Sequence, residues 1–359
     1  MCVLCRRHRE NGKSKINANL TDLLLEEIMI KTADVVCGLA WGDEAKGKIT
    51  AWLAKNNDYD YVCRWSGGCN AGHTVYVNQK KYKTHLVPSG VFFGIKSIIG
   101  PGCAVDQAKL MSELEYLRKN GFNTDVVKIS PRAHIITRHH LHIDSSSLAE
   151  KLGTTKSGIA PCYSDKAFRS GIQAKEVFPE EMLWDEELTG NILCEGAQGI
   201  WLDLDIGNYP YVTSSTTLPY AACSLGFPPQ KIKNIYGAAK IYDTRSGTDP
   251  DFPDSLLENT ELLKIADLGE EYGVTTGRRR KVNWLDLKRL VKAINLTGTT
   301  HVIISKCDIL ESAGMFVLFD SEKKKFKNLH EMTNYVQNEI KINCPLVEDI
   351  KFSFNPMSI

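Results

Sequence analysis

At 359 residues the chain has the length of about two domains, or of one large α/β domain with insertions. Its 44 Lys and Arg against 43 Asp and Glu leave a net charge of +1, which excludes a global field for nucleic acid, anionic membrane or an acidic partner. With 43% hydrophobic and 24% charged residues, the composition is that of a folded globular protein and not of a disordered or collagen-like chain.

The first fifteen residues, MCVLCRRHRENGKSK, carry basic side chains but no apolar core and no small-residue cleavage site. No secretory signal is expected from them, and the expected setting is cytoplasmic. No apolar run approaches the roughly 20 residues that a bilayer crossing needs. Residues 1–30 are read as an appended arm or short helix. Cys2, Cys5 and His8 have half the spacing of a zinc site, but no second ligand pair follows, which favours a frayed tail. The eleven cysteines are scattered through apolar strings, which predicts reduced thiols and no disulfides.

From Asp34, the apolar run VVCGLA enters GDEAKGK and then the helical pattern ITAWLAKN, giving strand, glycine loop and helix. YDYVCRW is a second strand, and IKSIIGPGCAV a third with a glycine turn. QAKLMSELEYLRKNG reads as a helix, HHLHID as an alternating strand or loop edge, and GTTKSGIAP as an irregular loop, so residues 105–190 are expected to form an inserted lid or subdomain. His134, His139, His140 and His142 lack metal-site spacing and are read as structural. NILCEGAQG and KNIYGAAKIYD are further strands, LLENTELLKIADLGEEYG is mostly helical, and THVIISKCDIL is a late strand ending in polar groups. The prediction is therefore an α/β fold over 31–359, with a large, mostly parallel central sheet, flanking helices and ligands beyond the strands' carboxyl ends.

Gly42 to Lys48 has the G-x-x-x-x-G-K spacing of a phosphate loop, with Glu44, Ala45, Lys46 and Gly47 inside it. Ile49 stands where such loops place the Mg²⁺-binding Ser or Thr, which makes Asp43 the candidate metal ligand. In SGGCNAGHTV, Asn70 is suited to a base or phosphate edge, and His73, near neutrality in pKa, to donating a proton to a developing oxyanion. Thr275, Thr276, Gly277, Arg278, Arg279 and Arg280 combine hydroxyls with guanidiniums suited to capturing carboxylate or phosphate. Without interleaved aromatics, a small anion fits this cluster better than nucleic acid does. Ser305-Lys306-Cys307-Asp308 is similar to the N/T-K-x-D guanine reader of GTP-binding proteins. Residue chemistry alone reaches phosphate, carboxylate and purine, and a GTP-dependent switch or binding module stands as the alternative from another class.

Taken in order, WGDEAKGK, GGCNAGHTV, LVPSG, GTTKSGIAPCYSDKAFRSG, EGAQGIWLDLDIGNYPYVTSS, YGVTTGRRRKVNWLD and SKCDIL resemble the adenylosuccinate synthetase family from about Asp34 to Leu310. The resemblance implies a Mg²⁺-dependent ligase that joins L-aspartate to C6 of a purine nucleotide through a 6-phosphoryl intermediate, with hydrolysis of a nucleoside triphosphate. It implies Asp43 as base and metal ligand and His73 as stabiliser of the 6-oxygen, with Lys46 and Gln198 also catalytic. Asn70, Ala71, Gly72, Thr154, Thr155, Gln198 and Thr213 would hold the acceptor nucleotide, with Arg169 supplied by the partner of a homodimer. Gly42 to Lys48, His73, Thr74, Arg280, Lys306 and Asp308 would hold the triphosphate. Val274, Thr275, Thr276, Gly277, Arg278 and Arg280 would hold aspartate, and the Gly72 carbonyl would join Asp43 around the metal.

The chain departs from the family pattern at Ala40 (glutamine), Ala45 (glycine) and Ser246 (valine), and its tail FSFNPMSI matches only loosely. Lost bulk at Ala40 and a new hydroxyl at Ser246 favour the family's viral, bacteriophage branch. That branch converts dGMP to N6-succino-2-amino-2′-deoxyadenylate for 2-aminoadenine DNA, with GTP, ATP or dATP as donor, and would place the protein in host cytoplasm. Retained Asp43 and Asp308 equally suit an ordinary enzyme using IMP and GTP.

Overall fold

A computed structural model describes residues 30–273 and 277–359, apart from the side chains of 147–149. The arm, Cys2, Cys5, His8, Val274, Thr275 and Thr276 lie outside the described residues.

In chain order the principal elements are β1 (Ile30–Gly38), α1 (Lys46–Asn56), β2 (Tyr61–Arg64), β3 (His73–Val77), β4 (Lys80–Thr84), β5 (Lys96–Ile99), α2 (Gln107–Lys119) and β6 (Val127–Ile129). There follow α3 (Arg138–Ile143), α4 (Ser147–Leu152), α5 (Ile159–Phe168), β7 (Gly190–Glu195), β8 (Ile232–Lys240), β9 (Tyr242–Arg245), α6 (Thr260–Leu268) and β10 (Lys281–Asp286). The last are α7 (Leu287–Thr297), β11 (His301–Ser305), α8 (Cys307–Ala313), β12 (Val317–Asp320), β13 (Glu322–Lys325), α9 (Leu329–Asn343) and β14 (Asp349–Phe352).

Eight strands form one parallel sheet in the order β14, β11, β8, β1, β7, β2, β5, β6. Parallel strands are covered on both faces, which is why VVC, NILC and VIIS read as unbroken apolar runs and not as alternation. Val35, Val36, Cys63, Ile192, Leu193, Cys194, Val302 and Ile304 are all fully buried. From β1 the chain builds β2, β5 and β6 on one side, returns with β7 between, and then builds β8, β11 and β14 on the other. The loops after β1, β2, β7, β8 and β11 therefore open at one sheet edge, around the point where the winding reverses. A smaller sheet, β9, β10, β12, β13, flanks this assembly.

Three predicted elements differ in detail. HHLHID is α3, not a strand edge: the Thr137 hydroxyl accepts from the His140 amide while the His140 ring accepts from the Thr137 amide, a capping box that sets the helix start. IKSIIGPGCAV divides at Gly100-Pro101-Gly102, with Lys96–Ile99 in the large sheet and Cys103–Val105 in a separate three-stranded one. Within 254–273, only Thr260–Leu268 forms α-helix, preceded by a 3₁₀ turn over Asp254–Glu258. The described cysteines are free thiols, and no helix among the described residues is long and apolar enough to cross a membrane.

Candidate active site

A cavity of about 890 Å³ opens at the carboxyl edge of the sheet. Its wall includes Gly42, Asp43, Ala45, Lys46, Gly47 and Lys48 from the loop after β1, and Asn70, Ala71, Gly72, His73 and Thr74 from the segment after β2. Thr154, Thr155, Gln198 and Thr213 line it from loops, as do Gly277, Arg278, Arg280 and Lys306, and Asp308 lines it from the first turn of α8. Glu44 and Arg169 are not part of this wall; Arg169 caps the end of α5 on the surface with φ +68°.

Glu44 lies beneath the loop, fully buried, and its carboxylate accepts from the amides of Ala40 (3.2 Å) and Gly42 (2.7 Å) and from Lys46. An internal anion thus takes amides that a phosphate loop would otherwise turn towards its ligand. Asp43 (φ +63°) and Ala45 (φ +73°) are left-handed, as are Gln198 (φ +55°) and Lys306 (φ +69°). Non-glycine residues adopt this region only where their surroundings impose it, and such strain collects at functional sites.

His73 opens β3 and is almost fully buried. Its Nδ1 bonds the carboxylate of Glu195 at the end of β7, which also accepts from the amide (2.7 Å) and hydroxyl (2.9 Å) of Ser89. Burial lowers the His73 pKa and Glu195 opposes the shift; burial also penalises the Glu195 carboxylate, but His73 and Arg64 outweigh it and hold that carboxyl below its ordinary value. With Nδ1 committed, Nε2 is the ring nitrogen left for a ligand. Gly47 packs so closely here that a Cβ on it would lie 2.6 Å from the His73 Cβ.

The Asp43 carboxylate pairs with Arg280 (Oδ2 to Nε, 2.8 Å). Arg280 continues to Glu271 (2.6 Å), which is fully buried and binds Lys240 (2.9 Å) and the Tyr242 hydroxyl (2.8 Å). Burial penalises the Glu271 carboxylate, but Lys240 and Arg280 outweigh it and hold its pKa near 2. Burial brings Lys240 down to about 8 against the pull of Glu271. Asp43 is thus aimed by a chain of three charges running back to β8. Arg278 reaches across to the carbonyls of Gly153 and Thr154, joining the arginine loop to the threonine loop. Asp144, buried in the cavity wall, fixes that threonine loop by accepting from the Thr154 hydroxyl and the Gly158 amide.

Among the described residues no cluster of three or more His, Cys, Asp or Glu could hold a metal alone. One carboxylate, Asp43, with Gly72 lining the same cavity, fits Mg²⁺ only where phosphate oxygens and water complete the shell, which is the usual manner of that ion. Glu195, Asp144, Lys240 and Glu271 were not predicted as site residues, because none has a spacing signature and each acts through another residue, from 9 positions away for Glu271 and Arg280 to 122 for Glu195 and His73. Ala40 was expected to enlarge the site; it is not itself part of the cavity wall but packs with Phe252 and with Trp41, which is. Ser246 does reach the wall, and its hydroxyl is buried without a hydrogen-bond partner.

The adenylosuccinate synthetase family model matches residues 35–190 and 182–317. An adenylosuccinate synthetase of Borrelia turicatae is 35% identical over 377 residues, covering 88% of this chain and 84% of the relative. One of Geobacillus kaustophilus is 38% identical over 334 residues, covering 77% of each. The fully ligated adenylosuccinate synthetase of Plasmodium falciparum superposes with a TM-score of 0.78 at 26% identity, over 91% of this chain and 98% of that one. The succinoaminodeoxyadenylate synthetase of cyanophage S-2L, solved with dGMP and dATP, superposes with a TM-score of 0.71 at 18% identity, over 91% and 93%. At that identity the cyanophage likeness is one of fold.

Proposed function

We propose, for a chain that belongs to the adenylosuccinate synthetase family and is a carbon–nitrogen ligase of that type, that the acceptor is IMP and the phosphoryl donor GTP. The observation that carries the ligase chemistry, whichever the acceptor, is the convergence of Asp43, aimed by Arg280, and His73, backed by Glu195, on one cavity wall, and IMP with GTP is preferred for the likeness to adenylosuccinate synthetases at 35–38% identity. Asp43 takes the N1 proton of the 6-oxopurine, which makes the 6-oxygen a nucleophile towards the γ-phosphorus. His73, as an imidazolium whose Nδ1–H is held by the Glu195 carboxylate, donates its Nε2–H to that oxygen as the bond to phosphorus forms and the bond to GDP breaks. The amine of aspartate, its carboxylates held by Arg278 and Arg280, then attacks C6 and expels phosphate. Mg²⁺, held by Asp43, the Gly72 carbonyl and phosphate oxygens, supplies charge compensation when bound. Thr154, Thr155, Asn70, Gln198 and Thr213 hold the acceptor, and Lys306 and Asp308 face the base of the triphosphate. Arg169, exposed at the end of α5, suits donation to a partner subunit's acceptor phosphate in a homodimer.

A second reading, dGMP as acceptor, is favoured by the Ser246 hydroxyl, whose unused hydrogen bond could serve a guanine amino group. It ranks second because Ala40, the other residue that pointed there, does not itself line the cavity and packs with Trp41, which does. The test is purified protein with Mg²⁺, L-aspartate and either IMP or dGMP, each with GTP, ATP or dATP, read by product mass. Succinylated product mainly from IMP with GTP supports the first reading, and product mainly from dGMP replaces it with the second. Triphosphate hydrolysis that needs neither aspartate nor acceptor would favour a switch and refute both.

A further inference from the structure

Lys48 stands in the first turn of α1, where the G-x-x-x-x-G-K spacing assigns it to phosphate. Its amine is engaged elsewhere: it donates to the hydroxyl of Ser353 and to the carbonyl of Asn355, each at 2.6 Å. Ser353, which directly follows β14, is buried and fixed on both sides, its amide donating to the Ile304 carbonyl and its own carbonyl accepting from the Cys307 amide. Beyond Ser353 the chain runs over the surface, with Phe354 and Met357 half exposed. Asn355 and Pro356 nevertheless line the cavity, as do Lys306 and Asp308. Ile359 packs against the core, and the rest of the segment is held by the Ser353 hydroxyl on the carbonyls of Asn355 (3.1 Å) and Ser358 (2.8 Å) together with the Lys48 amine, so these few bonds set where residues 355–356 lie. The Lys48 amine spans α1 and this segment.

We propose that Lys48 acts as a specificity-determining tether, holding residues 355–356 as a wall of the triphosphate's base pocket and not gripping phosphate itself. The inference rests on the reading that the base lies against Lys306 and Asp308. It predicts that loss of the amine weakens recognition of the base and leaves recognition of the phosphates intact.

The experiment is isothermal titration, in Mg²⁺, of GTP and of inorganic tripolyphosphate into the full chain and a chain ending at Phe354, each with Lys48 or Lys48→Met. In the full chain, Lys48→Met is expected to weaken GTP roughly tenfold, the scale of a hydrogen bond to a charged group, and to leave tripolyphosphate unchanged. In the shortened chain the same substitution is expected to add nothing further. Ser353→Ala, which removes one acceptor of the Lys48 amine together with the hydroxyl that donates to the Asn355 and Ser358 carbonyls, is expected to weaken GTP in the same direction without shortening the chain. Equal weakening of GTP in both backgrounds, or parallel loss of tripolyphosphate, would make Lys48 a phosphate ligand and overturn the proposal, as would unchanged GTP binding throughout. Hydrogen exchange on the ligand-free protein separates the tether from the nucleotide reading. Faster exchange at the Met357 amide, which donates to the Asn355 side chain, is expected in Lys48→Met, and unchanged exchange would refute the tether. A wild-type chain that binds no GTP would instead refute the assignment of the triphosphate site.

Discussion

Replacing Gly47 with Ala should disable the enzyme without unfolding it. The added Cβ would lie 2.6 Å from the His73 Cβ and 3.0 Å from its Cγ, against the 3.5–4.0 Å of ordinary carbon contact, so something must move by about 1 Å. The helix is the less able to move, since Gly47 lies in the buried first turn of α1. His73 must therefore shift, although Glu195 and Ser89 hold its ring from behind. A displacement of that size at a reacting group lowers rates on the order of a hundredfold. Ala in place of helical Gly adds roughly 1 kcal/mol of helix propensity, which offsets part of the steric strain. The expected result is kcat down about a hundredfold with a melting temperature within a few degrees of wild type, measured by product formation and thermal unfolding. A Gly47→Ala variant with kcat within threefold of wild type would refute the placement of His73.

Three further substitutions test separate parts of the site. Glu195→Gln keeps the volume but replaces the acceptor that fixes His73 Nδ1–H; kcat should fall roughly a hundredfold with little change in the KM for IMP, and a mainly KM effect would count against an orienting role. Ala45→Gly removes a left-handed alanine and should raise stability by about 0.5–1 kcal/mol in urea titration, whereas a loss would mean that φ +73° carries no strain. Burial raises Asp243 from its ordinary 3.8 to about 7, so the folded state keeps a proton that the unfolded chain has lost between those values. The stability this contributes is present below pH 3.8 and is lost as pH rises towards 7. Asp243→Asn should then raise the melting temperature at pH 8, by at most roughly 4 kcal/mol in stability, and change it little at pH 4. The reverse order would show that Asp243 is ionised in the fold.

The central sheet was legible because parallel strands buried on both faces leave apolar runs, and because glycine loops punctuate their carboxyl ends. The Arg138–Ile143 helix was not, since six residues give too little period to recognise and its start depends on the Thr137 and His140 cap. Asp43 and His73 stood out through their glycine-rich settings. Glu195 did not, because a glutamate at a strand end has no spacing signature and its partner lies 122 residues away. Lys48 is the converse case: motif spacing points it to phosphate, and only the structure shows that its amine meets the carboxyl-terminal segment 305 and 307 residues on. Ala40 raises a related point, since a smaller side chain opens a site directly only if it faces the site, and the sequence does not reveal that Trp41 lines the cavity where Ala40 does not.

The central claim is that the 6-oxygen of the acceptor attacks the γ-phosphorus and leaves as phosphate, with Asp43 and His73 serving that step. The most direct measurement uses IMP carrying ¹⁸O at position 6, with GTP, Mg²⁺ and L-aspartate in ordinary water, and reads the phosphate released by mass. The account predicts one ¹⁸O in the phosphate for each succinylated product, and no labelled phosphate with Asp43→Asn. Phosphate without label, accompanied by normal product, would contradict it.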